Sequence, residues 1–424
     1  MRIKAGLCCV AVWLGCTGVA THAQTLEGHV AGESRSDTPR ERRKGNRLSI
    51  GGVTMDLALP AALLRFRDSD IPEAVPEQFV FTTHADAAAI AAAAGVTLLE
   101  TAPLRSLGTQ LAVVAVREGD DAAAAQARLT AQPGVEGLQP NLLAQTLAAT
   151  SAAAPTTPLP KRFRLHGLDA TATQPVSGTI AMIDTALALD HPALQGARIE
   201  QTRFVEAAAP AAHGTALAGL IVGTGEEVPG TARGARLVNL AAFTERKNGV
   251  AVANTANLAK AFDAAAMLKP EVLSLAFGGK HDPLLARLLD EIQRRGVCVA
   301  AAAGNGGAGA AVPFPAHHAA SVAVTAVDEA LKPYAFATRG TRIDVAAVGV
   351  DVFVPVPGGK RGGYRRMSGS SIATAFVAGN LLRMPECNGG RAPAAMRTKL
   401  RASAQDIGDA GADPAFGAGL FRLP

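Results

Sequence analysis

Over the second half of this chain, short apolar runs alternate with stretches of helical periodicity. Residues 179–183, 236–240, 272–275 and 297–301 read as continuous apolar strands, the pattern of a parallel sheet covered on both faces. Helical segments at 253–268 and 283–295 fall between them. This predicts an α/β fold, a doubly wound and mostly parallel open sheet. A different rhythm precedes it. Residues 78–81 predict a strand, 85–94 an Ala-rich helix stopped by Gly95, and 96–99 and 111–116 two more strands. A second helix over 121–132 starts on an acidic residue and ends before Pro133-Gly134, and 135–143 is again extended. Strand-helix-strand-strand-helix-strand is the split βαβ order of a small ferredoxin-like α+β unit. Between the two patterns, 147–160 is a run of Ala, Thr and Pro without periodicity, a linker open to proteolysis. No internal repeat is evident.

Length and composition sharpen this division. A chain of 424 residues holds two or three units at roughly 100–200 residues per domain. Hydrophobic residues make up 48% and charged ones 18%, which excludes a disordered chain. With aromatics at only 4%, the core must be built from Ala, Val and Leu. The net charge of +5 is modest. Much of the excess base (Arg35, Arg40, Arg42, Arg43, Lys44, Arg47) sits beside Glu33, Asp37 and Glu41. Such a run is a solvated linker rather than a nucleic-acid or membrane patch, so residues 24–76 are assigned as a basic polar linker.

Residues 1–23 have the form of a secretory signal: Arg2 and Lys4, an apolar run from Ala5 to Leu14, then Thr21-His22-Ala23. The run is too short for a membrane span of about 20 residues. Cys16, after Trp13-Leu14-Gly15, is the alternative, a lipidated cysteine, and the one route to membrane attachment. Export implies a periplasmic or extracellular protein. Cys8, Cys9 and Cys16 fall in this leader, leaving Cys298 and Cys387 in a mature chain.

Three local features lie where such a sheet places a site. Asp184 follows the strand at 179–183 and emerges at its carboxyl end, the edge where open α/β sheets bind ligands. His213 opens an apolar, small-residue stretch that reads as a buried helix. Ser371 follows a glycine-containing turn into another apolar helix. Alone, each has a plain structural explanation: a turn or cap aspartate, a structural histidine, an N-cap serine. Their joint occurrence in this order is what points to chemistry.

Ile183-Asp184-Thr185, His213-Gly214-Thr215 and Gly369-Ser370-Ser371-Ile372-Ala373-Thr374 resemble the three signature segments of subtilisin-like serine proteases. Ala301-Ala302-Ala303-Gly304-Asn305 is similar to that family's oxyanion-hole segment, and Ser274-Leu275-Ala276-Phe277-Gly278-Gly279 to its substrate-lining strand. Phe314-Pro315-Ala316 and residues 345–349 fit the intervening landmarks. The resemblance runs from about residue 155 to the C-terminus, and the region 77–147 also looks like the family's inhibitory propeptide. It implies a secreted serine endopeptidase made as a self-processing precursor: signal 1–23, propeptide 77–147, linker with the processing site 148–160, catalytic domain 161–424.

The roles implied follow from acyl transfer. His213 would take the proton of Ser371 and later protonate the leaving amine. Asp184 would hold the imidazole tautomer and stabilise the imidazolium. The Asn305 amide, the Ser371 N–H and the positive end of its helix would stabilise the oxyanion. For Asn305→Ala the expected loss is roughly 10²–10³ in turnover, a size taken over from subtilisin itself. Leu275, Ala276, Phe277, Gly278, Ala302, Ala303 and Gly304 are the implied substrate-binding residues, with extended peptides and apolar side chains as the expected substrates.

The sequence departs from the family at Ala186, Ala216, Ser370, Ala375 and Phe376. None removes a catalytic group; they bear on the rim and on specificity. The compact interval between Asp184 and His213 implies a trimmed loop. Polypeptides and the chain's own propeptide are the expected partners of a monomer, with no nucleic acid and no cofactor. Calcium is a family habit, but no compact carboxylate cluster names its ligands. His191 reads as a structural surface residue, and His317-His318 as surface, since adjacent histidines lack metal-ligand spacing. No His-Glu-x-x-His or Cys-x-x-Cys occurs. Cys298 upstream of Asn305 and Cys387 downstream of Ser371 both fall roughly 23–24 Å from the site; strand and helix running side by side would bring them close, which permits a disulfide and leaves two free core cysteines as the alternative. Two alternatives were weighed. An α/β-hydrolase esterase needs Gly-x-Ser-x-Gly and the order Ser, Asp, His, neither of which occurs. A binding module that retains only the fold is opposed by the intact Asp, His, Ser and Asn.

Overall fold

Side chains of a strand alternate between faces, and the central strands use both. The computed structural model describes residues 47–50, 53–56, 72–147, 149–151, 160–168, 174–206, 209–246, 249–358, 363–389 and 391–424. The leader at 1–23, Cys16 included, lies outside them. The segment before residue 61 is a unit of its own. It holds an antiparallel pair, β1 (Arg47–Ile50) and β2 (Val53–Asp56), with Ile50 opposite Val53, inside the stretch assigned as linker. Leu48, Ile50 and Val53 suit strands, which the charge count there obscured.

From β3 (Ala74–Thr83) the order is α1 (Ala87–Ala94), β4 (Thr97–Leu104), β5 (Thr109–Ala115), α2 (Ala122–Thr130) and β6 (Glu136–Thr146). Local chemistry sets the helix ends. Asp86 and Asp121 cap the two N-termini through their carboxylates, and Gly95 ends α1 in the left-handed region at φ 68°. The four strands pair antiparallel in the order β6-β3-β5-β4. One face, with Phe79, Phe81 and Val114, packs on Ile90 and Leu129 of α1 and α2. The other face gives Val80, Leu111 and Val113 to a different core.

After β7 (Ala149–Ser151) and α3 (Pro160–Leu165) come β8 (Thr179–Thr185), β9 (Arg198–Arg203), α4 (Ala212–Val222), β10 (Arg236–Glu245), β11 (Ala251–Asn254) and α5 (Thr255–Leu268). Then follow β12 (Val272–Leu275), β13 (Phe277–Gly279), α6 (Pro283–Arg294), β14 (Cys298–Ala302), β15 (Ser321–Val327) and β16 (Val345–Val348). The chain ends with β17 (Val352–Val356), β18 (Gly363–Ser368), α7 (Ser370–Leu381) and α8 (Pro393–Ser403). The parallel ladder runs β16-β15-β14-β12-β8-β10, with β9 also parallel to β10. Ile180 and Met182 of β8 face the core shared with α4 and α7, while Ala181 and Ile183 face the one shared with α5 and α6. This is the doubly wound, mostly parallel fold.

The four-stranded unit docks on the α5 and α6 side. Val80, Leu111 and Val113 share a core with Leu258, Phe262, Leu285 and Leu288. Polar side chains close the seam by completing two helix N-termini. Asn141 Oδ1 accepts the Ala256 N–H at 3.2 Å and Gln139 Oε1 that of Leu284 at 3.2 Å. Gln139 Nε2 also donates to Asp282, the N-cap of α6, at 2.8 Å.

Cys298 and Cys387 form a disulfide, with Cα atoms 5.7 Å apart and a sequence separation of 89. Closing a loop of that size restricts the unfolded chain, and losing a native bridge costs about 2–5 kcal/mol. In a Ser371→Ala background, Cys298→Ala/Cys387→Ala should lower the melting temperature by roughly 5–15 °C. An unchanged melt would show that the bridge carries no stability.

Candidate active site

Asp184 and Thr185 end β8, which lies between β10 and β12. From β8 the chain goes to β10 on one side and then returns to β12 on the other, so the strand order reverses here. A crevice opens outside the carboxyl ends at such a point. Asp184 is fully buried. Both its oxygens lie 2.9 Å from Nδ1 of His213. Oδ1 also accepts the Thr185 N–H at 2.7 Å and the Thr185 hydroxyl at 3.2 Å. That hydroxyl accepts the Gly214 N–H at 2.9 Å, tying the strand end to the first turn of α4. Only glycine permits this approach, because a Cβ on residue 214 would come within 2.7 Å of the Thr185 carbonyl and 3.0 Å of Asp184 Oδ1.

A ring nitrogen facing a carboxylate carries the proton, which leaves Nε2 of His213 as the acceptor. Nε2 is buried and has no hydrogen-bond partner among the described residues. Buried polar atoms are nearly always paired, so an open imidazole acceptor marks a place for a proton donor. α7, which packs against α4, begins with Ser370 and Ser371 after Gly369. Ser371 is fully buried, and its hydroxyl donates to the Ala276 carbonyl at 2.9 Å rather than to His213.

Asn305 lies beyond the end of β14. Its Oδ1 accepts the Ser370 N–H at 3.0 Å, which fixes the amide's orientation. Its Nδ2 then donates to the backbone carbonyl of Leu147. Ser370 braces the same loop from its other end, its hydroxyl accepting the Gly304 N–H at 3.1 Å. In the sequence Ser370 registers only as a departure from the family pattern, and nothing there signals this bracing.

The implied substrate-binding residues divide. Phe277 and Gly278 pair antiparallel with Thr146 and Gln145 of β6. Ala276 offers its carbonyl to Ser371, and Gly304 is held by Ser370. Leu275 sits in the ladder between Ile183 and Ala301, and Ala302 opposite Val324. Ala303 donates its N–H to the Val324 carbonyl. All three have fully buried side chains.

Two histidine assignments are corrected. His191 is buried, not a surface residue. Its Nδ1 accepts the Ala193 N–H at 3.0 Å, so Nε2 carries the proton and donates to the Gly363 carbonyl at 2.9 Å. His317 and His318 are half-buried. Burial first, and the neighbouring His281 for the former, hold both below the ordinary histidine range. Among the described residues no group of three or more His, Cys, Asp or Glu side chains is placed to hold a metal ion, and no helix is long and apolar enough to cross a membrane.

Comparison with known proteins agrees with this architecture. The chain is 32% identical over 208 residues to a thermophilic serine proteinase of Bacillus sp. (strain AK1), covering 47% of this chain and 50% of that protein. It is 30% identical over 208 residues to thermitase of Thermoactinomyces vulgaris, covering 47% of this chain and 72% of that protein. The chain thus spans half the length of the first relative. Among solved structures, fervidolysin from Fervidobacterium pennivorans, described as a keratinolytic enzyme related to subtilisin, superposes with a TM-score of 0.69. That match covers 82% of this chain and 60% of fervidolysin at 19% identity, and so speaks to the fold alone. Residues 177–419, the stretch carrying Asp184, His213, Asn305 and Ser371, match the subtilase family, peptidase S8. This chain belongs to the subtilase family.

Proposed function

We propose that the protein is an exported serine endopeptidase, made as a precursor that processes itself, with Asp184, His213 and Ser371 as its triad and Asn305 as an oxyanion donor. The observation that carries this is the buried Asp184–His213 pair, which leaves Nε2 open beside the helix that begins with Ser370 and Ser371. In the reaction, rotation about χ1 of Ser371 turns its hydroxyl from the Ala276 carbonyl to His213, a move between staggered wells. His213 takes the proton as Oγ attacks the substrate carbonyl, and Asp184 stabilises the imidazolium. Asn305 Nδ2 and the N–H at the start of α7 meet the oxyanion. The imidazolium then protonates the departing amine, and water repeats the sequence on the acyl-enzyme.

Substrates lie extended along β13 and β11, by analogy with the chain's own residues 143–146. The unit from β3 to β6 is the propeptide and covers the site until released. The apolar leader and the permitted disulfide fit an oxidising compartment outside the cytoplasm. No cofactor is required; the chemistry needs only these side chains. A fluorophosphonate probe should label the processed wild type and leave Ser371→Ala unlabelled, with peptide hydrolysis lost in parallel. A folded wild type that neither labels nor cleaves peptides would overturn this function and leave a binding module.

A further inference from the structure

The geometry points to one bond as the site of self-processing. We propose that the chain first cuts itself between Leu147 and Ala148, so that the mature enzyme begins at Ala148. The inference rests on the proteolytic function proposed above and adds the position of the cut.

The chain is held on both sides of this bond. On the amino side, residues 143–146 run as a strand between two others. Leu143, Ala144 and Gln145 pair with Asn254, Ala253 and Val252 of β11, while Ala144, Gln145 and Thr146 pair with Gly279, Gly278 and Phe277 of β13. On the carboxyl side, Ala149, Thr150 and Ser151 pair with Ser368, Met367 and Arg366 of β18, the strand that leads directly to Gly369, Ser370 and Ser371. This pairing makes a strand of part of the stretch read as an unstructured linker. Its Ala-rich composition disfavours a strand on its own, and pairing with β18 supplies the conformation.

Between the two held segments, the Leu147 carbonyl is the one that Asn305 grasps. Successive carbonyls of an extended chain point to opposite sides. The carbonyl of Thr146 would therefore point away from Asn305, so the register selects the bond after Leu147 over the one before it. The side chain of Leu147 fits because residue 278 is glycine. A Cβ there would come within 3.0 Å of Leu147 Cδ1 and 2.8 Å of Pro313 Cγ.

In the step itself, Ser371 Oγ adds to the Leu147 carbonyl carbon and its proton passes to His213. The C–N bond to Ala148 breaks, and the same proton goes to the Ala148 nitrogen. Water then hydrolyses the Leu147 ester, releasing a carboxylate and restoring the serine.

The test uses the full chain, kept uncut in denaturant and then refolded. Intact masses of the earliest two fragments, with N-terminal sequencing, should give residues 1–147 and a chain beginning Ala148-Ala149-Thr150. The rate should be independent of protein concentration, and Ser371→Ala should stay whole. Leu147→Asp should slow the cut by at least about 100-fold, because it sets a charge where the half-buried Leu147 side chain packs over Gly278. Leu147→Met, which keeps shape and polarity, should be cut at near the wild-type rate and controls for folding. A first cut at any other bond, or wild-type processing of Leu147→Asp at Leu147, overturns the proposal. Peptide hydrolysis by the same preparations separates the two levels. Activity with a cut elsewhere, or with no cut, sinks only this bond; a refolded wild type that stays whole and hydrolyses nothing sinks both.

Discussion

Replacing His213 by alanine should lower kcat for peptide hydrolysis by about 10⁶-fold and leave KM within a few-fold; the size is that of the corresponding loss in subtilisin. The physical reason is that no other described base occupies the place of Nε2. Without the imidazole, Asp184 is still fully buried and held by the Thr185 N–H and hydroxyl, so it cannot swing out to serve as the base instead. His191 is engaged at both ring nitrogens. Single-turnover hydrolysis of a peptide by purified, separately processed enzyme reads the effect. Activity within tenfold of wild type would mean that the open imidazole is not the proton acceptor.

The second large effect is expected at Asn305. Asn305→Ala should lose roughly 10²–10³ in kcat, about 2.7–4 kcal/mol of transition-state stabilisation, and slow self-processing by a similar factor. The donor is preorganised: Ser370 N–H holds Oδ1, so Nδ2 faces the Leu147 carbonyl without reorientation. Asn305→Asp should be no better, since it sets an acceptor against the developing anion. Measuring kcat for a peptide alongside the precursor's half-life on refolding checks both. A loss confined to KM would assign Asn305 to ground-state binding instead.

Much of this was legible in the chain because the relevant signals are local. An apolar run ending in Asp184, a glycine before a short serine pair, and aspartates ahead of Ala-rich helices each declare their structure within a few residues. The strands at 179–183 and 272–275 were recognisable because both faces are covered, leaving no polar alternation. What escaped notice depends on partners far away in sequence. β9, with the sequence Arg-Ile-Glu-Gln-Thr-Arg, has no apolar pattern and owes its state to β10. The helical pattern begins at residue 253, but β6 draws residues 253 and 254 into β11. His191 reads as a surface residue, yet Tyr364 packs on it and the Gly363 carbonyl accepts its proton. The part played by Leu147 had no signature, because what Asn305 holds is a backbone carbonyl, which every residue has.

The cysteine bridge bears on where the enzyme can work. β14 starts at Cys298 and leads to Asn305, and α7 starts with Ser370 and Ser371 and leads on to Cys387. The proposed anion donor and the proposed nucleophile are thus the tips of a two-pronged fork whose handle is clamped by sulfur. In a thiol-rich cytoplasm that clamp stays open. On the proposed function, a precursor delayed there would lack the clamp behind both prongs, and oxidation on export would close it.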